Sequence, residues 1–265
     1  MKTCLHFTLF DYKVDSPLVL LHGFMGSAAS FETLAGFLPD TCRPIGIDLP
    51  GHGKSLFSGS ACLDRLQSFE AVAVMILNDL ENAGIERFSL YGYSMGGRVA
   101  QQVALAAPER VRHLILESAA FGIADLEMRT TRYADDCRLL ENIRGDFDAF
   151  LDKWHDMPLF RMLPAELKEK LKSSKKMNDL PELARAMSLL SVGNQPHLLP
   201  ELANANFPIL LLYGQEDAKY MAIAANAAKS LPHARFCFIP DASHDIHVQY
   251  PGNVARAITD FIKQS

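Results

Sequence analysis

The sequence predicts an α/β protein whose mainly parallel sheet is covered by helices on both faces. Short apolar runs rich in β-branched residues recur along the chain, and helical patterns lie between most of them. A length of 265 residues suits a single α/β unit. At 49% hydrophobic and 22% charged residues, the chain has the balance of a soluble globular protein with a sizeable core.

The elements follow in order. The opening MKTCLHFTLFDYKV alternates like a strand and lacks the apolar stretch of a signal peptide. Further strands are expected at Leu18–Leu21, Pro44–Ile47, Arg87–Tyr91, His113–Glu117, Ile209–Tyr213 and Arg235–Ile239. Helices are expected at Asp64–Ala83, Ser94–Ala106, Ala218–Leu231 and Asn253–Ile262. The alternation breaks once. Between Glu117 and Phe207 there is no strand pattern, only helical segments punctuated by Gly122, Gly145, Pro158, Pro164, Pro181 and Pro196. Roughly 80 residues are too many for a loop inside a compact domain. Residues 121–205 therefore read as a helical cap over the carboxyl ends of the strands, with 1–120 and 206–265 forming the core. Within the cap, the run KEKLKSSKK at Lys168–Lys176 reads as a solvated helix face.

A formal net charge of −5 argues against general affinity for nucleic acid or an anionic membrane. Any anion site must be a local cluster. Cys4, Cys42, Cys62, Cys137 and Cys237 are scattered, odd in number and without metal-ligand spacing. Free thiols in a reducing cytoplasm are expected, with no metal and no organic cofactor. No apolar run is long enough to span a membrane. A monomer or weak homo-oligomer acting on a small molecule is the expected form.

The chemistry centres on Gly92-Tyr-Ser-Met-Gly96, which follows a strand and opens a helix. This pattern makes a strained, exposed serine at Ser94, and the helix N-terminus favours a negatively charged oxygen there. His22-Gly-Phe-Met-Gly26 follows another strand and can aim the backbone N–H of Phe24 beside that of Met95 as an oxyanion hole. His22 itself reads as a structural hydrogen-bonder. The segment Asp48–Ser55, DLPGHGKS, resembles a phosphate loop, but Asp48 occupies the position where that motif needs glycine. A tight turn is expected instead.

A triad of this type needs an acid and a base in the chain order Ser, Asp, His. Asp217 lies just past a buried strand, and His244 in the loop after the last one, so both reach the carboxyl edge of the sheet. Asp241, Asp245 and His247 are the rivals. Arg98 stands four residues after Ser94 on the same helix face, where its side chain leans back towards the serine. From spacing alone, a pocket guanidinium and a surface arginine are equally good readings.

These motifs resemble the α/β-hydrolases over the whole chain. The stretches GYSMGGRVA, LESAAFGI, RTTRYADD, KWHDMPLF, NQPHL, LYGQEDAKY and HDIHVQYP resemble, more narrowly, the 2-succinyl-6-hydroxy-2,4-cyclohexadiene-1-carboxylate synthases of menaquinone biosynthesis. The resemblance implies a lyase. It would expel pyruvate from 2-succinyl-5-enolpyruvyl-6-hydroxy-3-cyclohexene-1-carboxylate, with Ser94 as the base. It further implies that Arg98, Arg132 and Lys175 hold the substrate carboxylates while Tyr93 and Trp154 line the pocket. Lys175 stands where that family usually has arginine, Phe121 where proline is expected and Gln249 where glutamate is usual. The alternatives are a serine hydrolase of esters or of a diketone carbon–carbon bond, and a non-catalytic binder on the same fold.

Overall fold

A computed structural model of the chain describes residues 3–11, 16–160 and 162–265. The strands are β1 (Phe7–Leu9), β2 (Pro17–Leu21), β3 (Arg43–Ile47), β4 (Phe88–Tyr93), β5 (Val111–Glu117), β6 (Ile209–Gly214) and β7 (Arg235–Ile239). They form one sheet in the order β1-β3-β2-β4-β5-β6-β7. Only the β1–β3 pairing is antiparallel among these strands. The N-terminal strand expectation is met over Phe7–Leu9; residues 1, 2 and 12–14 of that stretch lie outside the described residues.

Continuous apolar runs are what a sheet buried on both faces requires. The two-residue alternation sends Val19, Leu21, Ile209 and Leu211 into one core and Leu18, Leu20, Leu210 and Leu212 into the other. The first face is covered by α2 (Phe69–Asn82), α3 (Met95–Ala106) and α9 (Ala218–Ser230). The second is covered by α1 (Glu32–Phe37), α10 (Ile246–Gln249) and α11 (Pro251–Gln264). Helix α2 starts five residues later than expected. Apolar Leu63 and Leu66 belong to a short 3-10 turn and its exit, and the helix begins after Ser68, whose hydroxyl accepts from Ala71 N at 3.2 Å.

Between β5 and β6 the chain forms α4 (Leu126–Gly145), α5 (Phe147–His155), α6 (Ala165–Lys175), α7 (Leu180–Leu189) and α8 (Leu199–Ala203), with no strand among the described residues. These helices share a small core of Leu140, Ile143, Phe150, Leu151, Leu183 and Met187, into which Met25 inserts from the loop after β2. Glu182 of α7 fastens them to the sheet domain by accepting from Phe57 N at 2.5 Å and Ser58 N at 3.0 Å. The basic run on α6 departs from a wholly solvated face. Lys168, Lys172 and Lys176 pair with Asp156, Asp152 and Asp148, and Lys175 turns inward and is buried.

The expectation of five free thiols is corrected. Cys4 and Cys62 form a disulfide, leaving Cys42, Cys137 and Cys237 free. Their 58-residue separation hides the pairing. The buried Asp79 carboxylate of α2 accepts from Cys4 N and Leu5 N at 2.9 and 2.7 Å and so ties the N-terminal segment that carries Cys4 to the body of the fold. No helix among the described residues is long and apolar enough to cross a membrane.

Candidate active site

Strand β4 ends at Tyr93 and α3 begins at Met95, so Ser94 makes the whole turn between them. It does so at φ 50° and ψ −108°, a conformation that costs a non-glycine residue about 1–3 kcal/mol. The surroundings enforce it: Ser94 N donates to Glu117 O at 2.9 Å, and Arg98 N donates to Ser94 O at 3.1 Å. The flanking glycines answer to space. A Cβ on Gly92 would stand 2.5 Å from Gly96 O, and one on Gly96 would overlap the carbonyls of Leu21 and His22.

Asp217 lies three residues beyond β6 and caps α9, its Oδ1 accepting from Tyr220 N at 3.2 Å. Its Oδ2 is 2.8 Å from His244 Nδ1, and His244 Nε2 is 3.0 Å from Ser94 Oγ. Because a carboxylate only accepts, Nδ1 carries the proton and Nε2 faces the serine as an acceptor. The His244 loop is tied at several points. Ser118 Oγ donates to His244 O at 2.9 Å, His244 N donates to Leu159 O at 3.1 Å, and Gln249 Oε1 accepts from Ser243 N and Oγ at 2.8 and 2.9 Å. Gln249 thus fills its position with a neutral acceptor.

The rivals lie elsewhere. Asp241 is exposed at a left-handed turn. Asp245 is buried with one carboxylate oxygen unpartnered, and burial pushes it up to about 6. His247 bonds Glu117 through Nδ1 at 2.8 Å. His22 is structural, with Nδ1 on Gly23 O at 2.8 Å and Nε2 accepting from Leu49 N at 3.0 Å. The Asp48–Ser55 segment is a tight turn around the Asp48 carboxylate, which accepts from Ala28 N and Lys54 N at 2.7 and 2.9 Å.

A cavity of about 390 Å³ opens above Ser94. Its wall includes Phe24 and Met95, and among the described residues neither backbone N–H donates to a protein acceptor. Tyr93 and Trp154 line it too. Gly23 is required beside Tyr93, because a Cβ there would stand 2.5 Å from the ring. Trp154 packs on Phe24 and Phe160, ring centroids 5.9 and 5.7 Å away.

Arg98, Arg132 and Lys175 all reach this wall. Arg98 is 9% exposed; its guanidinium donates to Leu190 O at 2.6 Å and lies 5.7 Å from the Phe69 ring, and burial pushes it down to about 10. It does not point into bulk water. Arg132 pairs with Asp136 at 2.9 Å, and that carboxylate also accepts from Ser191 Oγ at 2.7 Å. Lys175 has no carboxylate partner among the described residues. Its Nζ is 3.2 Å from His155 Nε2, and burial pushes it down to about 8.

Sequence reasoning missed two wall residues. Lys219 adds a fourth cation, set 5.6 Å over the Tyr220 ring. The Tyr220 ring lies tilted against that of His244, centroids 4.5 Å apart, on the cavity wall that Ser94 also lines. Their only signal was adjacency to Asp217 in the run EDAKY.

Comparison with known proteins decides the family. The alpha/beta hydrolase fold family matches residues 16–251. The chain belongs to the α/β-hydrolase family. Within it, the chain belongs with the 2-succinyl-6-hydroxy-2,4-cyclohexadiene-1-carboxylate synthases. The protein of that name from Serratia proteamaculans (strain 568) is 30% identical over 253 residues, covering 94% of each chain. Among solved structures, MenH from S. aureus superposes with a TM-score of 0.89 at 27% identity over 98% of both chains. A thermophilic esterase from Thermogutta terrifontis, solved with malate bound, superposes at 0.80 and 25% identity over 98% of this chain and 94% of that one. Synthases and an esterase thus share this α/β-hydrolase frame, and the chemistry of the cavity wall must separate them.

Proposed function

We propose that the protein is a lyase that eliminates pyruvate from 2-succinyl-5-enolpyruvyl-6-hydroxy-3-cyclohexene-1-carboxylate, giving 2-succinyl-6-hydroxy-2,4-cyclohexadiene-1-carboxylate. One observation carries this reading. Arg98, Arg132, Lys175 and Lys219 line the same cavity as Ser94, and Lys175 is a buried cation with no carboxylate partner among the described residues. A buried unpaired charge is costly, and an anionic substrate would repay it. The substrate has three carboxylates. The names of the relatives support the same reading, and a dicarboxylate sits in the related esterase structure.

In this reading His244, oriented by Asp217, takes the proton of Ser94, and the serine oxygen removes the ring proton alpha to the succinyl ketone. The enolate oxygen formed rests against the N–H groups of Phe24 and Met95, at the positive end of α3. The electron pair moves through the ring alkene and breaks the carbon–oxygen bond to pyruvate, which leaves as its enolate. Residues 121–205 act as a cap that excludes water, so that the serine meets a carbon acid and not an ester. Replacing Ser94 by alanine should lower pyruvate release by at least about 10³-fold without changing the melting temperature by more than a few degrees. Substantial release by S94A would remove the serine from the mechanism.

An ester hydrolase is the second reading, favoured by the esterase among the structural relatives. It needs the same triad and oxyanion hole but has no use for four cations.

A further inference from the structure

We propose that His247 is a further substrate-contacting residue, presenting Nε2–H to the cavity as a hydrogen-bond donor for a substrate carboxylate while the buried Glu117 holds its other face. The proposal rests on the polyanion-binding reading of the cavity given above.

His247 lines the cavity and is only 3% exposed. Its Nδ1 is 2.8 Å from Glu117 Oε1, and the same oxygen accepts its backbone N–H at 3.1 Å. The other Glu117 oxygen accepts from the Tyr91 hydroxyl. Glu117 is fully buried, and its backbone carbonyl takes the N–H of Ser94, so the clamp on His247 is continuous with the elbow. A carboxylate on Nδ1 fixes a proton there and leaves Nε2 for another partner.

That partner is no described residue of the protein. Among the described residues Nε2 makes no hydrogen bond, yet it is not one of the unpartnered polar atoms sealed from solvent. Three other buried histidines differ. His22, His52 and His155 have both ring nitrogens occupied: by Gly23 O and Leu49 N, by Pro50 O and Met25 N, and by Leu151 O and Lys175 Nζ. Among the described residues His247 has one ring nitrogen without a partner, and the space before the residue is the cavity. The Tyr93 ring stands between the two cavity imidazoles, 5.5 Å from His244 and 4.6 Å from His247, so they serve one bound molecule from adjoining positions.

Charge favours the donor form. Burial is the largest single influence and opposes a second proton on the imidazole, as does Lys175 on α6, but Glu117 on β5 and Asp245 on the same segment together outweigh them, and the balance is upward. Tyr91 and Tyr93 of β4 face the pair, the first bonded to Glu117. An imidazolium N–H on a carboxylate is a charge-assisted bond, stronger than a neutral one.

Two substitutions separate contact from scaffolding. In H247N the amide nitrogen can occupy the Nδ1 position and keep the Glu117 bond while removing the cavity-facing donor. In H247Q the amide can reach the Nε2 position but leaves Glu117. The proposal predicts that H247N raises the KM for the enolpyruvyl tricarboxylate, and the inhibition constant of malate as a probe, by about tenfold, with the loss falling chiefly on KM. H247Q should retain more of the malate affinity than H247N. A wild-type KM and malate constant in H247N, with the damage confined to H247Q, would overturn the proposal and leave His247 a prop for Glu117. Should H247N not fold, E117Q decides. Loss of the anion behind His247 leaves burial and Lys175 to keep the ring neutral, so malate should inhibit E117Q more weakly than wild type already at pH 6 and lose little more by pH 8; wild-type inhibition of E117Q at pH 6 would count against the proposal. If wild type releases no pyruvate, the lyase reading falls, and the malate arm still judges His247.

Discussion

Arg98 and Lys175 put positive charge on the cavity wall by different means, and their substitutions should behave differently. Arg98 is buried and anchored on Leu190 O. In R98A the loss of a charge-assisted contact of about 1.5–3 kcal/mol should lower kcat/KM for the tricarboxylate by roughly 10–100-fold. Hydrolysis of a small neutral ester should change far less; equal losses on both substrates would make Arg98 purely structural. Lys175 titrates where arginine would not. Its affinity for a proton is depressed to about 8 by burial, so its charge is present below that pH and fades as pH rises through it. The KM should therefore climb above about pH 8 in wild type and stay flatter in K175R, as steady-state profiles from pH 6 to 9.5 would reveal. Asp245 carries the opposite strain. Its folded-state value of about 6 exceeds the usual 3.8, so the ionised form is penalised in the fold and stability falls as pH rises from 4 through 6. D245N should be more stable than wild type at pH 7.5, by about 3 kcal/mol in denaturant titrations, and lose that advantage near pH 4. Ser94, Asp217 and His244 were legible in the sequence because their motif and chain order follow from geometry. Tyr220, Lys219 and the Glu117–His247 pair were not, because their roles depend on which side chains meet across three strands and a loop.

The elbow between β4 and α3 is the element on which the proposed chemistry rests, and its tolerance for a single methyl is testable. A Cβ on Gly96 meets backbone carbonyls of Leu21 and His22, which have no rotamer to yield. G96A should destabilise the fold by about 3 kcal/mol in denaturant titrations and disable the serine; a variant as stable and active as wild type would refute the packing argument. The six parallel strands were readable to within two residues, since buried parallel strands appear as continuous apolar runs, whereas the antiparallel β1 occupies only three residues of the stretch read as strand-like. The start of α2 was not, because Leu63 and Leu66 continue a helical pattern that Ser68 interrupts. The inward turn of Lys175 was equally hidden: its neighbours Lys172 and Lys176 pair with α5, and only the packing of α6 over Phe160 distinguishes them.

At the scale of the molecule, the sheet carries the serine, the aspartate and the histidine at one edge, and the helices between β5 and β6 bring Arg132, Trp154 and Lys175 down over them. In a chain whose net charge is −5, the fold gathers Arg98, Arg132, Lys175 and Lys219 on one cavity wall, where they face Asp135, Asp136 and Asp245. Polycarboxylate ligands should therefore raise the melting temperature, and raise it less at high salt, in keeping with linkage and with screening at the cavity mouth. The most direct test compares two reactions of the purified wild-type protein at matched concentration. Pyruvate release from 2-succinyl-5-enolpyruvyl-6-hydroxy-3-cyclohexene-1-carboxylate is followed beside hydrolysis of a neutral chromogenic ester. Pyruvate release with a kcat/KM at least about 10³-fold above that for the ester is the predicted result. Brisk ester hydrolysis with no pyruvate formed would contradict it and make the protein an esterase.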